Sequence, residues 1–144
     1  MFNLSQDDRL TFWSQFRKDL EVSQDPLNEV AQLWAQAPYV PYNKEVDPYN
    51  QFNWPTPWEI IVDNKYDDFT KALVMSWTLK LTDRFKNSNI EIKTIIDTDK
   101  GMAYNVVVVD NQWVLNYKDN EVVEAKNLPE SFRLENLIQV ERPR

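Results

Sequence analysis

The sequence predicts an α+β fold: an N-terminal helical hairpin, a long core helix, and a meander of three or four antiparallel strands packed against that helix. Three observations carry this. Apolar residues recur at three- and four-residue spacing through about residue 85, the period of an amphipathic helix. After Lys86-Asn87-Ser88-Asn89 the pattern changes to alternation and β-branched runs, the period of strands. The breaks between those runs hold Asn and Asp, which tolerate left-handed backbone and can stand in for glycine in a chain that has only 1. At 144 residues the chain suits one domain with a sizeable core.

Ser5 followed by Asp8 resembles a capping box, and Leu10, Trp13, Phe16 or Arg17, and Leu20 then mark a helix near residues 6–22. Asp25-Pro26 starts a second helix, with Pro in the first turn where its missing N–H costs nothing. Leu27, Val30, Leu33 and Trp34 share one face, Pro38 ends the helix, and residues 6–37 form the hairpin. Residues 38–55 differ: prolines interleave with Tyr39, Tyr42, Tyr49, Phe52 and Trp54, which forbids regular helix and gives an extended wrap. Exposed rings are costly, so they are expected to fold back over the core. The alternative is a recognition surface, since aromatics dominate interface hot spots.

Thr56-Pro57-Trp58-Glu59 combines N-cap, first-turn Pro and a Glu three residues after the cap. It opens a short helix through Val62. A second helix begins near Asp67, where the charges of Asp67 and Asp68 suit its positive end, and Phe69, Ala72, Leu73, Ser76, Trp77 and Leu81 carry it to about Phe85. Residues 90–96 form a strand, 97–101 a turn, and the apolar run from Tyr104 to Val109 a strand covered on both faces. Asp110-Asn111 is a two-residue hairpin turn into Trp113–Tyr117, and Asp119-Asn120 turns again into residues 121–124. Residues 125–144 form a tail, with a possible last strand at 136–140.

The net charge of −7 argues against direct nucleic-acid binding through phosphates, which requires clustered Lys and Arg. Solubility is the plain explanation of that charge; a basic partner is the other. The N-terminus has no basic start or apolar run, so no signal peptide is expected, and no stretch is long enough to span a membrane. With no Cys and no His, there is no disulfide framework, and zinc is not expected without its usual ligands.

Residues 56–123 resemble the transglutaminase-like cysteine proteinases, whose core is papain-like. The resemblance rests on Tyr66-Asp67-Asp68-Phe69 at a helix start, Met102-Ala103-Tyr104 on one strand and Trp113-Val114-Leu115-Asn116 on the next. In that family a Cys opens the helix, a His lies on the first strand and an Asp on the second. The resemblance places Tyr66 at the Cys position, Met102 at the His position and Asn116, or else Tyr117, at the Asp position. It therefore implies a fold without its catalytic relay: a phenol of pKa about 10 is a poor nucleophile, and a thioether relays no proton. The groove around Tyr66, Met102, Tyr104 and Asn116 either becomes core or holds a partner's peptide.

Other chemistries are weaker. Asp67 and Asp68 point about 100° apart on a helix and share no site. Asp97, Asp99 and Gly101 have the glycine misplaced for a calcium loop and lack the distal Glu. Neither a metal nor a cofactor is expected. The resulting expectation is a non-enzymatic protein-binding or self-assembling protein, cytoplasmic or part of a virus particle assembled there. Low Gly, no Cys and frequent Asn, Asp and Tyr also resemble bacteriophage products. The alternatives are an acidic inhibitor of a nucleic-acid enzyme and a hydrolase using carboxylates alone.

Overall fold

The computed structural model describes residues 1–143. Four helices precede a five-stranded antiparallel sheet: α1 (Gln6–Leu20), α2 (Pro26–Trp34), α3 (Pro57–Asp63), α4 (Asp68–Lys80), β1 (Ile90–Asp97), β2 (Met102–Val109), β3 (Trp113–Leu115), β4 (Val123–Glu124) and β5 (Arg133–Gln139). The strand order is β4-β3-β2-β1-β5. The meander is present as expected, and the tail supplies a further strand, β5, beside β1.

The caps of α1 and α3 form where the sequence placed them, whereas Asp25 makes no cap bond to the α2 backbone and its carboxylate accepts from the Asn28 amide instead. Ser5 accepts from the Asp8 N–H, and Thr56 and Glu59 complete a reciprocal capping box on α3. α1 and α2 touch through the edge-to-face pair Phe16–Trp34. Beyond that pair, α1 packs on α3 and α2 on α4. The Arg9 guanidinium, buried on α1, donates to the carbonyls of Ile61, Val62 and Leu4, which binds α1 to the end of α3.

α4 ends at Lys80, a turn and a half short of the expected Phe85. The cause lies outside the helix. The Glu21 carboxylate accepts from the N–H groups of Asp83 and Arg84, while the Arg84 guanidinium donates to the carbonyls of Leu20 and Ser23. Those bonds draw the chain off the helix axis, and the buried Lys80 ammonium donates to the carbonyls of Lys86 and Ser88. Every residue from Phe69 to Lys80 except Lys71 is buried, so α4 is the central helix.

The sheet separates two apolar clusters. On the α4 face, Ile90, Ile92, Val107, Val109 and Leu115 join the main core with Trp13, Trp34 and Leu73. On the other face, Ile95, Val106, Val108 and Val114 are covered by Tyr104, Tyr117, Val123, Leu128 and Phe132. This explains the unbroken apolar run of β2: both of its faces are buried.

Asn and Asp fill the positive-φ positions. Asp110 and Asn111 have φ 52° and 58°, and Gln112 N–H bonds the Val109 carbonyl, the two-residue turn the sequence indicated. Asn64, Asn116 and Asn120 are also left-handed.

Replacing Thr56 by Ala removes one half of the capping box, and a loss of about 1 kcal/mol is expected in urea unfolding, with the m-value unchanged.

Candidate functional site

The start of α4 meets the middle of the sheet through one carboxylate. Asp67 is the N-cap: one of its oxygens accepts from the Thr70 N–H at 2.7 Å and the other from the Asn43 N–H at 2.9 Å. Asp68, in the first turn, faces the strands. One oxygen accepts from both the backbone N–H and the side-chain amide of Asn105, at 2.9 and 3.0 Å. The other accepts from the Asn116 amide at 3.2 Å. That amide also donates to the Asn105 carbonyl at 2.8 Å, and the Thr94 hydroxyl donates to the Asn105 side-chain oxygen at 2.8 Å. Thr94 on β1, Asn105 on β2, and Asn116 just past β3 thus form one polar chain ending on Asp68.

Strand parity explains which residues join. Odd-numbered residues of β2 face α4: Val107 and Val109 belong to the main core, and Asn105 lies on that side. Even-numbered residues face away, and Tyr104 packs with Tyr117 and Phe132 in the outer cluster. Met102 shares that parity, is 48% exposed, and lies 3.6 Å from the Tyr104 hydroxyl. The expectation that Met102 stands beside the helix start is therefore corrected: an even position cannot reach it, and Asn105 stands there instead.

Asn116 would face away from α4 by simple alternation, since its neighbour Leu115 is in the main core. Its φ of 64° breaks the alternation and turns its amide toward Asp68. Tyr117 is thereby placed in the outer cluster, so of the two only Asn116 reaches Asp68.

Tyr66 is 1% exposed and points into the core, edge-on to the Phe2 ring at 5.7 Å. Its hydroxyl has no protein hydrogen-bond partner. Burial raises its pKa well above the ordinary phenol value, Arg9 pulls it back, and Asp63 pushes it further up. Beside Asn116 the remaining space, bordered by Trp34, Lys71 and Met75, is about 10 Å³, too small for a substrate group. Of the groove residues, Tyr66 and Tyr104 are packed in the two apolar clusters, Met102 lies on the far face, and Asn116 is tied to Asp68.

The aromatic wrap divides differently from expectation. Trp54 folds back, donating to the Asp47 carbonyl and packing on Phe69 and Trp77. Tyr39, Tyr42, Tyr49 and Phe52 stay exposed. The backbone beneath them is fixed by Val46, which is buried, by the Asn43–Asp67 bond, and by the pairing of Tyr66 with Pro38 and Val40.

No protein-family model matches the chain, and no curated protein sequence does. Solved structures do. Legionella pneumophila LapG aligns at 18% identity with a TM-score of 0.69, covering 94% of this chain and 77% of that one. Its calcium-bound form aligns at 19% identity and TM-score 0.67, covering 92% and 75%. The EGTA-treated form gives 19%, 0.69, and coverage of 90% and 71%. LapG has a transglutaminase-like cysteine-protease fold, and the present chain is similar to it in fold.

Two outcomes follow from this geometry. Tyr66→Phe should leave stability at pH 7 unchanged or raise it by about 1 kcal/mol, because it removes an unpaired buried hydroxyl. The folded chain holds the phenol proton more tightly than the unfolded chain does. Its contribution is therefore complete below the ordinary value of 10.0 and is lost as pH rises beyond it. Urea unfolding of both proteins from pH 7 to 11 should show the gap in favour of Phe widening above pH 10. Separately, Asp68→Ala, Asn116→Ala and the double variant should show a coupling of about 1 kcal/mol in a double-mutant cycle. Simple additivity would mean that this hydrogen bond contributes nothing.

Proposed function

We propose that this chain is a non-catalytic protein-binding or assembly protein on a transglutaminase-like fold, serving as a structural or connector component of a bacteriophage particle. The observation that carries the first part is the Asp68–Asn105–Asn116 chain. In this reading Asn105 takes the strand position of the family's His, Asn116 that of its Asp, and Tyr66 that of its Cys. A carboxamide neither accepts nor releases a proton near neutral pH, and the phenol is buried and held neutral, so in this reading the helix start has no counterpart of the family's thiol–imidazole pair. The phage assignment is supported by composition: one glycine, no cysteine, and turns made from Asn and Asp.

One LapG structure is calcium-bound. At the helix start of the present chain the oxygens of Asp67 and Asp68 accept hydrogen bonds from N–H donors. Among the described residues no group of three or more carboxylates is gathered as a ligand set. No helix of the described residues is long and apolar enough to cross a membrane. The space of about 10 Å³ beside Asn116 lends the hydrolase alternative no support, whereas the charge of −7 keeps an acidic inhibitor as the competing outcome of the test.

The tagged chain, captured from its native source after mild crosslinking, should bring down a stoichiometric protein partner, or further copies of itself, that persists in high salt. Capture of a basic nucleic-acid enzyme that dissociates in salt would favour the inhibitor. The ancestry is checked independently by Tyr66→Cys with Asn105→His and Asn116→Asp. A thiol alkylated by iodoacetamide with an apparent pKa below about 8.5 supports the alignment, and an inert one counts against it.

A further inference from the structure

A groove separate from the Asp68 chain lies between the wrap and α3. It encloses about 380 Å³, and its walls include Pro55, Trp58, Ile60 and Val62, so its surface is mainly apolar. A volume of this order accommodates one long side chain and the backbone next to it. Trp58 is half-buried and braced edge-to-face by Trp13 at 5.9 Å, which fixes the indole. Its lining also includes the exposed Glu45, Glu59 and Asp63, hereafter its rim, against the single cation Lys65.

Charge selects the occupant. The side-chain ion pairs among the described residues, Lys71–Asp119, Lys86–Asp83 and Lys126–Glu124, all lie elsewhere, so the three rim carboxylates have no cationic side chain bound to them. Glu59 uses one oxygen for the capping box and leaves the other for a ligand. An apolar cleft with an indole in its wall and excess negative charge at its mouth suits a flat, weakly hydrated cation. That describes a guanidinium better than an ammonium, because it stacks on the ring while its edge donates to carboxylates. The same stretch of chain that supplies Asn43, Glu45 and Pro55 also holds Tyr39, Tyr42, Tyr49 and Phe52 exposed on a pinned backbone.

We propose that this groove binds an arginine-bearing segment of a protein partner, with the guanidinium on Trp58 among Glu45, Glu59 and Asp63 and the neighbouring partner residues against the exposed rings of the wrap. The site deepens the binding role proposed above and rests on it for its biological use. Its chemistry can be tested without any native partner.

The test is an NMR titration of the ¹⁵N-labelled chain with acetyl-Gly-Arg-Gly-amide, read at the indole N–H signals, with Trp58 assigned from Trp58→Phe. The expected result is a saturable shift of the Trp58 signal. It should be weaker by about threefold with the Lys peptide and absent with the Leu peptide. Glu59→Gln with Asp63→Asn should weaken binding at least about fivefold. Gln can still complete the capping box, so this variant is expected to fold, and its unchanged indole spectrum without peptide verifies that. A non-saturable drift, equal binding of the Leu peptide, or full affinity in the double variant overturns the proposal. Those failures leave the capture experiment unaffected: a partner retained there with no peptide response here would sink the groove and keep the binding role.

Discussion

The Asp68 carboxylate is the joint between the two halves of this molecule. Helices and sheet are built from local signals, but their relative placement needs a link. Asp68 takes donors from β2 and from the residue after β3, and through Asn105 it reaches Thr94 on β1. The link is directional, unlike the apolar contact of α4 with Val107 and Leu115, which fixes distance more than rotation. It also places a negative charge in the first turn of α4, where the helix dipole favours one. The carboxylate that sets the architecture therefore also occupies the donors that a more open site would offer to a ligand.

Much of the fold was legible in the sequence because its signals were local. Thr56-Pro57-Trp58-Glu59 could form its cap whatever lay elsewhere, and Asp110-Asn111 could adopt its turn without help. What escaped was decided at long range. The end of α4 depends on Glu21 and Arg84, whose backbone partners lie about sixty residues away, and no periodicity records that. β5 was visible only as a short possibility, since an edge strand with mostly exposed residues carries little pattern.

The site was legible in part. Asn116, singled out from a short word, does join the Asp68 chain, whereas Tyr66 packs into the core, Met102 lies on the far face, and Asn105 was not singled out. The signal that could have separated Met102 from Asn105 is parity. Counting back from the turn at Asp110-Asn111, Val109, Val107 and Asn105 share a face with Trp113 and Leu115. Asn105 is also the lone amide beside a run of four valines, where a polar side chain needs a partner. The fate of the aromatic wrap was harder to read: whether a ring folds in or out depends on the anchoring of its backbone, and Asn43–Asp67 and Tyr66–Val40 are tertiary pairings.

The scarcity of glycine reaches beyond the turns it leaves to other residues. Asn64, Asp110, Asn111, Asn116 and Asn120 occupy left-handed backbone that glycine would enter freely, and each sits there with some local strain. The unfolded chain is constrained as well, because a side chain at nearly every position narrows the conformations open to it. The denatured ensemble therefore has less disorder to surrender on folding than a glycine-rich chain of equal length. Part of what holds this protein together is thus a property of the disordered chain, and no contact in the native fold records it.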